Sequence, residues 1–147
     1  MCSGNTCRSP LAEVLARAEA QRLGLSEVES RSAGTFAWPG QPAAVNGTLV
    51  ARDHGLDLSG HASAQLDFEL LAWADLTLGM TSGHVAEARR IHPAASVRLM
   101  TDVLPVDHPE HGRGVADPYG GTRDAYEAAY RLLSTAIRNL FEDLHGG

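Results

Sequence analysis

Cys2 and Arg8 are separated by five residues, Ser3-Gly4-Asn5-Thr6-Cys7, and Ser9-Pro10 leads from them into the helix-forming run Leu11-Ala12-Glu13-Val14-Leu15-Ala16-Arg17-Ala18. Glycine and small polar residues let such a loop curl so that successive backbone N–H groups point inward as a concave anion nest. The helix behind it adds free N–H groups and the positive end of its dipole at the same spot. Arg8 closes the ring, because a planar guanidinium fork matches two oxygens of a tetrahedral oxyanion. Cys2 lies at the mouth, in electropositive surroundings of the kind that favour the nucleophilic thiolate form of cysteine. A cysteine beneath a phosphate-shaped cradle is equipped for phosphoryl transfer. Cys-x5-Arg alone arises often by chance, and a lone cysteine is more often inert packing. The specific signal is the whole run set directly before a helix.

The elements that must hold this loop follow in the rest of the 147 residues. That length fits one domain, residues 1–147, with a single real core. Apolar content of 44% and charged content of 20% suit an ordinary globular chain. A net charge of -6 with no basic stripe excludes a nucleic-acid partner from the expectations. No apolar run is long enough for a membrane span or a secretory signal, so the expected address is the cytoplasm and no membrane partner is expected. Both cysteines of the chain fall in the first loop, which points to redox chemistry rather than a structural staple. His84, His92, His108 and His111 are scattered without the spacing of a tetrahedral zinc site. No metal and no other cofactor are expected.

Helix-forming patterns are expected over 9–23, with Pro10 in the first turn and Gly24 past the end, and over 43–54, stopped by Gly55. Asp67 reads as the cap of a short turn, 68–73, in which Trp73 is expected to join the core. Thr81 or Ser82 reads as the cap of a helix ending at Ile91, and the last helix is expected over 122–144. Strands are expected over 28–33, 75–80 and 97–100. A breaker-rich loop covers 34–42, and the long loop 101–116 is of a length that is often functional. Alternating strands and helices imply a parallel sheet with helices on both faces.

The run Cys2-Ser3-Gly4-Asn5-Thr6-Cys7-Arg8-Ser9-Pro10 resembles the signature of the low-molecular-weight protein tyrosine phosphatase family, which includes bacterial protein arginine phosphatases. The resemblance implies an α/β three-layer sandwich with a parallel four-stranded sheet and the phosphate loop after the first strand. In the family an apolar strand of several residues precedes the cysteine, whereas here only Met1 does. The expectation is therefore that the first strand is missing, that the natural start lies upstream and that the sequence is truncated.

For such an enzyme the catalytic residues would be Cys2 as nucleophile, Arg8 as oxyanion clamp and Asp117 as proton donor. Asp117 in Asp117-Pro118-Tyr119-Gly120-Gly121 reads by composition alone as a turn initiator. The role of acid comes from the resemblance, since members carry Asp-Pro-aromatic in this part of the chain. Ser3, Gly4, Asn5, Thr6 and Cys7 would wrap the phosphate, and Trp38 and Tyr119 resemble the aromatic walls of the family's cleft. Asn5 tolerates a left-handed backbone and can tie the loop through its amide, while the Ser9 hydroxyl can donate to the Cys2 sulfur. By the family pattern, Ser32 and His61 complete a hydrogen-bond network with Asn5. Cys7 can form a disulfide with Cys2 after oxidation of the nucleophile.

Thr6 is the position that discriminates substrates. Tyrosine phosphatases of the family usually carry a bulky aliphatic residue there, and the arginine phosphatases carry Thr. A threonine hydroxyl can accept a hydrogen bond from a guanidinium, which an isoleucine would only desolvate. The glycine pair after Tyr119, Met80-Thr81, and Arg31-Ser32-Ala33-Gly34-x-Phe36-Ala37-x-Pro39 lean the same way. The expected partners are phosphorylated proteins, with phosphotyrosine and phosphoarginine both open. Two other readings stand beside this one. One is an oxyanion enzyme like arsenate reductase, for which no downstream cysteine pair is present. The other is a catalytically impaired phosphate-binding module.

Overall fold

The computed structural model describes residues 1–147, in one chain of helices laid on a short parallel sheet. The elements run α1 (Arg8–Arg22), α2 (Val45–Asp53), α3 (Phe68–Trp73), β1 (Thr77–Gly79), α4 (Ser82–Ile91), β2 (Val97–Leu99), a 3-10 turn at Met100–Val103, and α5 (Arg123–Gly146). The helix boundaries follow local chemistry. Asp67 accepts from Leu70 N–H to cap α3, Thr81 caps α4, and Thr122 accepts from Ala125 N–H to cap α5. Gly24 takes φ +69° just beyond α1, a conformation that costs glycine little.

Four parallel lanes of backbone make the sheet, in the order 33–35, 1–2, β1, β2. Cys2 N–H donates to Ala33 O (3.3 Å) and Thr35 N–H to Cys2 O (2.9 Å). On the other side the Met1 α-amine donates to Leu78 O (2.7 Å) and Met80 N–H to Met1 O (3.1 Å). β1 then pairs with β2 in the register Thr77↔Val97, Leu78↔Arg98, Gly79↔Leu99. Residues 64–66 add an outer bridge to Gly34. Successive residues of a strand face opposite sides, and the core obeys this. Met1 joins Leu71, Val85, Ala88 and Val97 under α3 and α4, whereas Cys2 joins Leu11, Leu15, Leu133, Ile137 and Phe141 under α1 and α5. Helices on both faces of a parallel sheet give the expected three-layer sandwich.

Three expectations need correction. The first-strand lane is not wholly missing, because Met1 and Cys2 occupy its C-terminal end and make four backbone hydrogen bonds across it. The regular strand expected over 28–33 does not form; only isolated bridges at Gly34, to Cys2 and to Gln65, are present just beyond it. Residues 28–32 make no ladder with a neighbouring strand. Beside them lies a groove of about 600 Å³, lined by Val28, Ala33, Leu66, Leu78 and Phe141 among others. Burial at the end of this groove drives the Met1 α-amine down to about 6, with the Arg8 charge adding to the shift and Cys2 opposing it. Trp73 also departs from expectation. It is half-exposed, and the Arg31 guanidinium lies 4.2 Å from its ring centroid.

Candidate active site

The cradle forms where the 1–2 lane ends at the C-terminal edge of the sheet and the chain turns into α1. Open α/β sheets place ligands in the crevice beyond these strand ends. Asn5 takes φ +55°, the one non-glycine residue with positive φ, and this bends the loop back towards the helix. Cys7 occupies the N-cap of α1 but makes no side-chain cap, so the first N–H groups of this 15-residue helix are not claimed by a cap side chain.

Asn5 holds the bend from inside. Its Nδ2 donates to Ser9 Oγ (2.7 Å) and Ser32 Oγ (2.9 Å), and its Oδ1 accepts from Ala64 N–H (2.9 Å). His61 Nε2 donates to Asn5 O (2.7 Å). Ser9 Oγ lies 3.0 Å from Cys2 Sγ. Because the Asn5 amide fills one lone pair of Ser9 Oγ, the serine proton is free to point at the sulfur. The structure thus brings Asn5, Ser9, Ser32 and His61 into one hydrogen-bonded network, the grouping that the family resemblance implies.

Glu13, which sequence reasoning missed, closes that network. It accepts from Ser32 Oγ (3.0 Å) and lies 3.7 Å from His61 Nδ1. Burial opposes its ionisation, but the contact with His61 and the hydrogen bond from Ser32 prevail and hold its carboxyl below the usual range. The same contact with Glu13 raises His61 above an ordinary imidazole. One signal was available: Glu13 follows Ser9 by four residues on α1, and so shares its face. Gly34 was also missed. A Cβ there would fall 2.2 Å from Ser3 O, so only glycine lets the 33–35 lane pass this close to the loop.

Arg8 is 4% exposed and held from two sides. Its Nη1 donates to Val115 O (2.9 Å), and its Nη2 lies 3.5 Å from Asp117 Oδ2. Its Nε is buried without any hydrogen-bond partner. A buried guanidinium N–H with no acceptor is costly unless something fills the place, and an oxyanion is the acceptor that fits beside a helix N-terminus. Val115 N–H donates to Met80 O (2.8 Å), which ties the loop carrying Asp117 to the end of β1.

Trp38 and Tyr119 stand on loops that border the cradle. The loop carrying Trp38 is fastened to it by Phe36 N–H donating to Ser3 O (2.9 Å) and Ala44 N–H to Thr6 O (2.9 Å). Tyr119 lies two residues beyond Asp117, and its N–H donates to Asp117 Oδ1 (3.1 Å). The two rings are 77% and 79% exposed, so neither is spent on packing. Thr6 is half-buried, and its hydroxyl has only Cys7 Sγ within reach, at 3.7 Å. Both cysteines are free thiols. Cys7 packs with Val50 and Tyr126, whose hydroxyl lies 3.4 Å from Cys7 Sγ, and burial with this contact pushes the Tyr126 phenol up. Tyr126 is a second residue that the sequence did not flag.

A thiol, a buried guanidinium with an open N–H and a carboxylate, gathered at the strand ends of an α/β sandwich, define a thiol-dependent phosphatase class. The profile of the low molecular weight phosphotyrosine protein phosphatase family matches residues 1–146. The chain belongs to this family. It is 38% identical to a protein-arginine-phosphatase of Geobacillus stearothermophilus, over 98% of this chain and 93% of that one. It is 36% identical to a low molecular weight protein-tyrosine-phosphatase of Streptomyces coelicolor, over 95% and 88%. The crystal structure of a YwlE mutant from Bacillus subtilis superposes with a TM-score of 0.88 at 34% identity, covering 98% of this chain and 95% of that one. No helix is long and apolar enough to cross a membrane.

Proposed function

We propose that the chain removes phosphate from side chains of phosphorylated proteins through a cysteinyl-phosphate, and that phosphoarginine is its preferred substrate. The observation that carries the reaction is Arg8, whose partnerless buried Nε and contact with Asp117 put an oxyanion clamp and an acid beside the Cys2 loop. Cys2 Sγ attacks phosphorus, the bond from phosphorus to the leaving atom breaks, and Asp117 gives that atom a proton. Water then attacks phosphorus, Asp117 takes its proton, the phosphorus–sulfur bond breaks to return the Cys2 thiolate, and inorganic phosphate leaves. Arg8 and the loop N–H groups hold the equatorial oxygens throughout. Ser9 donates to the departing sulfur, and Asn5, Ser32, His61 and Glu13 keep the loop in its bent form. Two free cysteines fit a cytoplasmic setting.

Asp117→Asn removes the proton donor but keeps the shape. On phosphopeptides kcat is expected to fall by roughly 10²- to 10³-fold, within the range for one general acid. On para-nitrophenyl phosphate, whose leaving group needs little protonation, the loss is expected to be smaller. Equal losses on both substrates would remove Asp117 from this role.

Phosphoarginine is favoured by Thr6, whose hydroxyl is free to accept from a guanidinium N–H. The experiment compares kcat/KM on matched phosphoarginine and phosphotyrosine peptides. Thr6→Ile is expected to shift the ratio towards phosphotyrosine by roughly tenfold, the size of one lost hydrogen bond to a charged group. A ratio that stays put, or a wild type that prefers phosphotyrosine, counts against the substrate while leaving the reaction in place.

A further inference from the structure

One half-buried contact between the loop and α4, from the buried His84 to the exposed Ser3, has no part in the reaction just described. His84, in the first turn of α4, accepts at Nδ1 from Thr81 N–H (3.1 Å), with Thr81 Oγ1 also 3.0 Å from Nδ1, while the His84 backbone N–H donates to Thr81 Oγ1 (3.4 Å). A backbone N–H can only donate, so Nδ1 must offer its lone pair, and the neutral ring carries its proton on Nε2. That Nε2 lies 2.8 Å from Ser3 Oγ and therefore donates to it. Ser3 Oγ has no second protein partner, so its own proton is unclaimed. The Ser3 backbone is meanwhile fixed, because its carbonyl accepts from Phe36 N–H. This tautomer also bars His84 from acting as a base towards Ser3, since the nitrogen facing the hydroxyl has no lone pair.

Val115, whose carbonyl accepts from Arg8 Nη1, donates its N–H to Met80 O, one residue before the Thr81 cap, so the start of α4 that carries His84 lies beside the segment that holds Arg8. Burial first, then the positive charges of Arg8 and the α-amine, with Asp117 opposing, push His84 down to about 4. The imidazole stays neutral at neutral pH, and its tautomer stays fixed. We propose that His84 is a positioning residue for the phosphate loop: by donating to Ser3 Oγ it turns the Ser3 hydroxyl proton towards the bound oxyanion, as one more donor beside the loop N–H groups. This rests on the phosphatase reading and adds a residue from outside the loop to it.

The test uses two isosteres that separate the cap from the donor. His84→Asn keeps an acceptor close to Thr81 N–H but is too short to reach Ser3. His84→Gln reaches Ser3 with an amide N–H. Binding of inorganic phosphate is read by calorimetry, and kcat and KM are read with para-nitrophenyl phosphate. Ser3→Ala and His84→Asn are each expected to weaken phosphate binding and lower kcat/KM by roughly tenfold, the order of one hydrogen bond to a charged group. The double variant is expected to be no worse than either single one, and His84→Gln to recover most of the loss. Unchanged phosphate binding in Ser3→Ala, or losses that multiply in the double variant, would overturn the proposal. If the His84 variants melt below the assay temperature, Ser3→Ala against Ser3→Thr decides: a loss in Ala that Thr restores supports it, and no difference overturns it. A wild type that binds phosphate but hydrolyses nothing refutes the phosphatase reading instead, with the coupling of Ser3 to His84 still measured by binding.

Discussion

Cys2→Ser is expected to fold, to bind inorganic phosphate and to hydrolyse no phosphate ester at a measurable rate. Cys2 is 3% exposed and packs in the core under α1 and α5, yet its sulfur already lies 3.0 Å from Ser9 Oγ. A serine hydroxyl can use that same partner, so the change leaves no polar group stranded. What it loses is the nucleophile. A hydroxyl needs an adjacent general base to attack, whereas a thiol is intrinsically nucleophilic and ionises readily. The hydrogen bonds around Ser9 lead to Asn5, an amide that cannot accept a proton from it, and no base stands there. The expected loss is on the order of 10⁴-fold or more in kcat, or ~5 kcal/mol of barrier. Thermal melting and phosphate calorimetry show whether the fold and the cradle survive. Turnover within tenfold of wild type would mean that the reaction does not pass through Cys2.

The cradle was legible in the sequence because its parts are contiguous. Nest, clamp and helix start all lie between Cys2 and Pro10, where spacing alone carries geometry. Asp117 is 109 residues from Arg8, so only family resemblance could pair them. Ser32 and His61 were reached the same way, but Glu13 was not, because a glutamate on an amphipathic helix reads as a solvated face until its partners are in view. His84 was hidden by a different ambiguity. Thr81-x-x-His84 reads as a helix cap, and it is one; that the other ring nitrogen reaches Ser3 depends on where α4 sits. The helices came through well, since caps and apolar periodicity are local. The strand expected over 28–33 did not form because a strand is a matter of pairing, which composition does not carry, and the chain there pairs only at Gly34. An apolar turn by itself puts Trp73 in the core, but α3 buries Leu71 and leaves Trp73 to stack under Arg31.

Arg8→Lys separates a charge from a geometry. A lysine keeps the positive charge but offers a single compact ammonium in place of the planar fork. Arg8 holds Val115 O through Nη1 and Asp117 through Nη2, and keeps a buried Nε without a protein partner. A lysine ammonium cannot span these positions, so either the oxyanion or the loop carrying Asp117 goes unheld. The expected fall in kcat is about 10³-fold, the upper range for removing one preorganised oxyanion donor. Leaving Val115 O buried without its donor is expected to cost about 1–3 kcal/mol of stability besides. Because Arg8 also fastens the segment that presents the acid, its loss and that of Asp117 are expected to overlap. Asp117→Asn made on top of Arg8→Lys should therefore slow the enzyme by clearly less than it does in the wild type. Full multiplication of the two effects would show that Arg8 acts on the phosphate alone, and that the contact between Arg8 and Asp117 does not help to aim the acid.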